Sequence, residues 1–121
     1  MMIMNDWSEE ERRRQERFSL ECYLKVIEAD TETLLGHIVD ISLGGMKLIG
    51  NSPIAPGQDF RLLLEISLGG DNKAKVFVEA RSVWTLEDIN PGFHNTGFSF
   101  LGLSSRAEAT INNLIATLSA E

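Results

Sequence analysis

Apolar and polar side chains alternate with a period of two along several short stretches of this chain. The clearest stretch begins at Phe18, and its apolar positions are Phe18, Leu20, Cys22, Leu24 and Val26. The positions between them are mostly polar or charged. Because a period of two places alternate side chains on opposite faces of an extended chain, this stretch predicts a β-strand with one buried face.

Five further stretches have the same extended character. We predict strands at about 34–41, 46–49, 60–66, 76–84 and 96–100. In the first of these, a period of two places Val39 and Ile41 on one face. Residues that favour turns separate the strands, at 30–32, 43–45, 51–57, 69–72 and 90–92. The chain is therefore expected to form successive antiparallel hairpins.

The end of the chain has a different period. Its apolar residues recur at helical spacing, at Ala107, Ile111, Leu114, Ile115 and Leu118. Ser105 and Glu108 have the spacing of a capping box, in which each side chain bonds the backbone of the other. These features predict one amphipathic helix at about 105–119.

Six short strands followed by one helix predict an all-β domain, either an antiparallel barrel or a sandwich. The helix is expected to plug or flank one opening of a barrel. Residues 1–17 are rich in charged residues and have few apolar ones to bury, so we expect a mobile or partly helical segment, with a mobile acidic arm at 1–11. Ser8 and Glu11 also have capping-box spacing, so a short helical turn is the alternative there.

Composition agrees with one soluble domain. The chain has 121 residues, of which 43% are hydrophobic and 24% charged, as in ordinary globular proteins. No apolar run approaches the roughly 20 residues that cross a bilayer, and the N-terminus lacks the pattern of a secretory signal. We therefore expect a cytoplasmic protein without membrane insertion. The net charge of −7 argues against a general DNA-binding or RNA-binding protein, which needs a basic face.

Catalytic and metal-binding patterns are not evident. The single cysteine, Cys22, sits at an alternating apolar position, which favours a buried thiol over a nucleophile. His37 and His94 have no potential ligands at metal-binding spacings. We also find no nucleophile elbow or phosphate-binding loop. The expectation is a protein that is not an enzyme and has no metal or cofactor.

A cluster of arginines precedes the first predicted strand. Four of the eleven lysine and arginine residues, Arg12, Arg13, Arg14 and Arg17, fall within six positions. Guanidinium groups bind phosphate oxygens through paired hydrogen bonds and also stack on bases, so the cluster suits a nucleotide. Glutamates at positions 9–11 and 16 lie beside the arginines, so a self-neutralised, solvated segment is the alternative.

A second polar motif, Asp40-Ile41-Ser42-Leu43-Gly44-Gly45, ends the second predicted strand. Asp40 and Ser42 lie two residues apart, on the same side of an extended chain. A carboxylate can accept hydrogen bonds from the N1 and N2 donors of guanine, and the glycines allow a turn or the close approach of a ligand. The alternative is a hairpin turn in which both side chains bond their own backbone.

Taken together, the two motifs resemble those of the PilZ domain family. The chain contains Arg13-x-x-x-Arg17, then a strand and a hairpin, then Asp40-x-Ser42-x-x-Gly45. The segments 80–84 and 97–100, the second just before the helix, are similar to the later part of that domain. The resemblance covers nearly everything from Arg12 onward. It implies a PilZ-like domain at 12–121, with a six-stranded antiparallel β-barrel at about 18–103.

The family resemblance also implies a ligand, the bacterial second messenger cyclic di-GMP. Arg13 and Arg17, on a flexible arm before the first strand, would contact phosphate and guanine. Asp40 and Ser42 would read a base, and Gly45 would shape the turn. Secondary candidates are Arg12, Arg14, Gly44 and Trp84. Trp84 would either line the ligand surface or pack inside the barrel.

The implied function is a receptor that changes its surface for a downstream protein when cyclic di-GMP binds. The alternative is an adaptor of the same fold that works by protein contact without a nucleotide. A third class, a barrel that binds single-stranded nucleic acid, would need a basic and aromatic groove. The cations of the strands are instead scattered among acids, at Lys25, Lys47, Arg61, Lys73, Lys75 and Arg81.

Overall fold

Residues 22–68 and 73–119 are described by a computed structural model. The predicted arm, the arginine cluster and the turn at 69–72 lie outside the described residues, as do the side chains of Cys22, Tyr23, Leu68 and Ser119. The elements are β1 (Cys22–Glu28), β2 (Thr33–Ile41), β3 (Gly45–Gly50), β4 (Asp59–Leu68), β5 (Lys73–Glu87), β6 (His94–Phe100) and α1 (Ser105–Ser119).

The six strands form a closed barrel in the order β1-β2-β3-β6-β5-β4. Every pair of neighbouring strands is antiparallel. The predicted six-stranded antiparallel barrel is therefore confirmed, and the sandwich alternative is excluded. The observed and predicted strand lengths differ most for β5, which has 15 residues and extends beyond the predicted 76–84 at both ends. Closure of the barrel removes the exposed strand edges that an open sheet of this size would present.

The core of the barrel consists of inward-facing side chains from all six strands. Val26, Leu62 and Leu64 are fully buried, and Leu48 is 1% exposed. Burying one such side chain stabilises a fold by about 1.5–3 kcal/mol. The rings of Phe60 and Phe98 meet edge to face, with centroids 5.7 Å apart.

Helix α1 completes this core. Ala107, Ile111 and Leu114 lie on its buried side and belong to the same apolar cluster as the strands. Among the described strands, the helix packs mainly against β5. Its N-cap is Ser104, because the Ser104 hydroxyl accepts a hydrogen bond of 3.0 Å from the backbone N–H of Ala107. The predicted capping box of Ser105 and Glu108 was therefore wrong, because the N-cap lies one residue earlier, at Ser104.

Three β-bulges interrupt the regular pairing, at Leu35 and Val39 of β2 and at Val83 of β5. In β2, Ile38 pairs with Leu48 and Asp40 pairs with Lys47, so Val39 is the extra residue. Val39 is 50% exposed, whereas Ile41 packs against the core. The prediction that these two side chains share a face was wrong, because a bulge inserts one residue and reverses the alternation that follows it. In β5, Ser82 pairs with Phe98 and Trp84 pairs with Gly97, so Val83 is the extra residue there.

Ser82, which precedes the bulge at Val83 in β5, anchors the loop before β4 to that strand. Its side chain is almost completely buried. The Ser82 hydroxyl donates to the carbonyl oxygen of Ala55 at 2.7 Å and accepts from the backbone N–H of Gln58 at 3.0 Å. The backbone groups of Ser82 also bond Gly57 and Gln58. This buried polar group is therefore fully paired, as burial requires.

Nothing in the described part of the chain has both the helical length and the apolar character that a membrane-spanning helix needs. Within residues 22–68 and 73–119, no three histidine, cysteine or acidic side chains are grouped in a way that could hold a metal ion.

Candidate ligand-binding site

A pocket of about 450 Å³ opens on the outer surface of the barrel, where β2, β3, β6 and β5 lie side by side. The described residues that line it come from the end of β2, the following turn, β3, the bulge of β5 and β6. They are Asp40, Ile41, Ser42, Gly45, Met46, Lys47, Val83, Trp84, Gly97 and Phe98. The pocket therefore joins three segments that are far apart in the chain, at 40–47, 83–84 and 97–98.

One row of paired residues crosses this pocket. Asp40 pairs with Lys47, Lys47 pairs with Gly97, and Gly97 pairs with Trp84. Neighbouring strands lie about 4.8 Å apart, so the row spans roughly 14 Å from Asp40 to Trp84. We call these four residues the pocket row.

The bulges at Val39 and Val83 place both ends of the pocket row on the outer surface. On β5, Val78, Ala80 and Ser82 are buried at alternate positions, so strict alternation would turn Trp84 inward. The extra residue Val83 reverses the pattern, and Trp84 is 38% exposed. The bulge at Val39 has the same effect on Asp40, which is exposed. Bulges often redirect side chains in this way at functional sites.

Trp84 therefore does not pack inside the barrel, which was one of its two predicted roles. Its indole lies against Gly97 on the neighbouring strand. A Cβ atom at position 97 would overlap the Nε1, Cε2 and Cζ2 atoms of the ring. The absence of a side chain at Gly97 thus allows the indole to lie close to the sheet and form one wall of the pocket.

The turn after β2 is held by its own residues. The backbone N–H of Ser42 donates to the carbonyl oxygen of Gly45 at 2.8 Å. The hydroxyl of Ser42 accepts a hydrogen bond of 3.2 Å from the backbone N–H of Gly44. Ser42 thus makes the local contact expected of a turn residue, and its exposed side chain still faces the pocket.

Gly45 is required by close packing between strands. A Cβ atom at position 45 would overlap the backbone carbonyl oxygen of Phe98 on β6. At Gly44, by contrast, an added Cβ atom would have only the hydroxyl of Ser42 nearby, at 3.8 Å. Gly44 belongs to the turn but does not line the pocket. Of the two glycine positions, 45 is the one at which the fold leaves no room for a side chain.

Asp40 and Lys47 supply the charges of the pocket. Among the described residues that line it, Asp40 is the one carboxylate and Lys47 the one cation. No described residue donates a hydrogen bond to the carboxylate of Asp40. Lys47 points outward between two buried neighbours, Met46 and Leu48. Both groups are therefore placed where they can meet a ligand.

A second acidic group, Asp88, lies close to Lys47. Its carboxylate accepts hydrogen bonds from the backbone N–H of Asn90 at 3.0 Å and from the side-chain amide of Asn95 at 2.7 Å. These two bonds, in that order, lower the pKa of Asp88, and the charge of Lys47 adds to the effect. The Asp88 carboxylate is thus already well paired without a ligand.

Four predicted site residues, Asp40, Ser42, Gly45 and Trp84, line the same pocket. Arg12, Arg13, Arg14 and Arg17 lie outside the described residues. Sequence reasoning missed Lys47 and Gly97 as parts of the pocket. Lys47 follows the glycine turn at an outward position, but only strand register shows that it lies beside Asp40.

Comparisons with known proteins agree with this fold. The sequence pattern of the PilZ domain matches residues 11–117. The PilZ domain of Escherichia coli YcgR, solved with c-di-GMP, has a TM-score of 0.62 and 21% sequence identity, with 82% of each chain covered. The Bacillus subtilis inhibitor of motility MotI (DgrA) has a TM-score of 0.64 and 12% identity.

The likeness to MotI covers 83% of this chain but 47% of the other, so this chain spans just under half of that protein's length. No curated protein sequence is significantly similar to this chain. The sequence match extends over most of the chain and includes every described element except the last residues of α1. With a six-stranded barrel and a pocket formed by the Asp-x-Ser-x-x-Gly turn, this chain belongs to the PilZ domain family.

Proposed function

We propose that this PilZ domain binds cyclic di-GMP in the pocket on its outer surface and acts as a receptor for that messenger. One observation carries the proposal. Asp40, Ser42 and Gly45 come from one segment and Trp84 from another, and all four line a single pocket. The similar E. coli domain was solved with c-di-GMP, which supports the choice of ligand.

The described groups have chemistry that suits a guanine nucleotide. The carboxylate of Asp40 can accept hydrogen bonds from the N1 and N2 donors of a guanine. The partly exposed indole of Trp84 offers an aromatic surface for a base. In this proposal, Arg13 and Arg17 bind phosphate and guanine through their guanidinium groups, while Arg12 and Arg14 add charge.

Strand register favours a contribution from the arginine motif. Lys25 of β1 pairs with His37 of β2 in antiparallel sense. The start of β1 at Cys22 therefore lies at the end of the barrel where β2 reaches Asp40. Arg17 precedes Cys22 by five residues, and five extended residues span up to about 17 Å. This reach is long enough for the arginines to meet a ligand above the pocket row.

Ligand binding would then join the arginine segment to the surface of the barrel and so change the surface that a downstream protein meets. Changes of this kind are a common switching mechanism. The proposal needs no metal, cofactor or catalytic step. It concerns a non-enzymatic receptor domain whose output is a protein contact.

Isothermal titration calorimetry of the full chain with cyclic di-GMP tests the proposal. We expect saturable heat at micromolar ligand. Cyclic di-AMP serves as the control, because adenine presents an acceptor at N1 where guanine presents a donor, so it should bind much more weakly. No heat with cyclic di-GMP at high micromolar concentration would exclude the proposed function.

The alternative function, an adaptor that binds protein without nucleotide, is favoured by one feature of the opposite face. Leu34 pairs with Ile27, Ile27 with Leu63, and Leu63 with Phe77. Leu34 and Phe77 are each 51% exposed, so an apolar row crosses β2, β1, β4 and β5. A protein partner held by this row would bind equally well with and without cyclic di-GMP, and Asp40→Ala would leave that binding unchanged.

A further inference from the structure

Lys47 occupies the middle of the pocket row. It lies one strand from Asp40 and two strands from Trp84, or about 5 Å and about 10 Å from them. Because its neighbour Gly97 has no side chain, nothing on β6 separates the lysine from the indole at this level. The row therefore presents a carboxylate, an ammonium group and an aromatic ring in sequence across one surface.

The ammonium group of Lys47 has no close carboxylate partner among the described residues. The ion pairs within 4.0 Å that the described residues make with one another join Lys75 to Glu65 and Arg81 to Asp59. The nearby Asp88 carboxylate already accepts bonds from Asn90 and Asn95 through both of its oxygens. Lys47 can therefore turn toward an anion without leaving a buried or unpaired charge behind.

The charge of the pocket depends on this one lysine. Asp40 and Lys47 are the only charged groups among the described residues that line the pocket. With Lys47 the described lining is neutral. Without Lys47 its one charge is negative, which would oppose the approach of a ligand that carries two phosphates. The sugar of a guanine is attached on the side of the base away from its N1 and N2 edge, so a guanine that meets Asp40 and extends toward β3 would bring its phosphate to Lys47.

We propose that Lys47 is a specificity-determining residue that binds a phosphate of the nucleotide while Asp40 binds the guanine edge. The inference rests on the proposed function and deepens it. Lys47 then makes the pocket select a guanine joined to phosphate over a neutral guanine nucleoside. A charge-assisted hydrogen bond to phosphate strengthens binding and weakens with added salt.

Calorimetry with cyclic di-GMP tests this role through two variants of Lys47. Lys47→Met keeps the apolar stem and removes the charge, and we expect it to weaken binding about tenfold or more and to reduce the salt dependence of the Kd. Lys47→Arg keeps the charge and should stay within about threefold of the parent. Lys73→Ala removes an exposed lysine at the start of β5 and should change the Kd by less than about twofold.

The outcomes separate the inference from the proposed function. If the parent chain binds and Lys47→Met binds as well as Lys73→Ala does, the role of Lys47 is disproved and the receptor function stands. If the parent chain itself gives no heat, both are disproved. Asp88→Asn distinguishes a direct from an indirect role. If this variant loses as much affinity as Lys47→Met, the lysine acts through Asp88 and the inference fails. Thermal unfolding followed by circular dichroism verifies that each variant is folded.

Discussion

The indole of Trp84 lies so close to Gly97 on the neighbouring strand that a Cβ atom at position 97 would overlap three atoms of the ring. The contact exists because the bulge at Val83 turns Trp84 to the outer surface. It joins two residues that are 13 positions apart in the sequence, and it forms the wall of the pocket that faces Asp40 across the sheet.

Gly97→Ala should displace the indole into solvent. We expect the fluorescence emission of Trp84 to shift to longer wavelength, binding of cyclic di-GMP to weaken, and stability to fall by about 1–2 kcal/mol. Trp7→Phe in both proteins leaves Trp84 as the single tryptophan, which excitation at the red edge of indole absorption selects over Tyr23. Unchanged emission in Gly97→Ala would show that the ring does not depend on this glycine.

The adjacent glycines of the turn form a matched pair. Gly45→Ala should destabilise the fold by about 1–3 kcal/mol, because its new Cβ atom meets the carbonyl oxygen of Phe98 and pushes β3 away from β6. Gly44→Ala should stay within about 0.5 kcal/mol, since its surroundings are open. Urea unfolding measures both. Equal losses in the two variants would contradict the assigned packing role of Gly45.

Ser82→Ala should lower the free energy of unfolding by about 1–3 kcal/mol. The change removes the hydroxyl that bonds Ala55 and Gln58 and leaves those backbone groups without their partner. Ser99→Ala, at an exposed position of β6, is the control and should have little effect. Chemical denaturation compares the two, and a similar stability for both variants would count against the anchoring role of Ser82.

Acid should weaken the fold partly through Asp88. The backbone N–H of Asn90 and the side-chain amide of Asn95 lower the pKa of Asp88 in the folded protein. The unfolded chain then takes up this proton at a higher pH, near the ordinary value of about 3.9. The contribution of Asp88 to stability is therefore present above about pH 4 and is lost as the pH falls through the folded pKa.

Unfolding measured between pH 2 and pH 7 checks this expectation. Asp88→Asn should be less stable than the parent at neutral pH, and the difference should shrink in acid. Asn95→Ala removes one of the three donors to the Asp88 carboxylate and should reduce the same pH dependence. A constant difference between Asp88→Asn and the parent across the whole range would be inconsistent with a lowered pKa.

The two motifs should each contribute to cyclic di-GMP binding. We expect Arg17→Ala and Asp40→Ala each to weaken binding about tenfold or more, which corresponds to about 1.4 kcal/mol. The carboxylate of Asp40 is exposed and makes no hydrogen bond with another described residue, so its loss should leave stability nearly unchanged. Calorimetry and thermal unfolding test the two statements separately. Unchanged affinity in both variants would move the binding site elsewhere.

Much of the barrel could be predicted from local patterns. The alternation at Leu24 and Val26, and the helical spacing of Ala107 and Ile111, identified residues that are buried. Such patterns are reliable because each strand or helix must turn one face toward the core. The strands and the helix were therefore predicted in the right order and near their observed positions.

Part of the site could be predicted in the same way. The Asp40-x-Ser42-x-x-Gly45 motif indicated a polar turn, and the structure places that turn at the mouth of a pocket. The need for glycine at position 45 was not predictable from the sequence, because it comes from the close approach of the Phe98 carbonyl group on another strand. The arginine motif stays a prediction.

The sequence by itself determined the number and order of the strands, the helix, the core and the two polar motifs, because those depend on the local period of apolar side chains. The tertiary structure alone decided that Asp40, Lys47, Gly97 and Trp84 form one row. Strand register and the bulges at Val39 and Val83 set that row. Both arise from long-range pairing, in which a shift of one residue turns every later side chain to the other face.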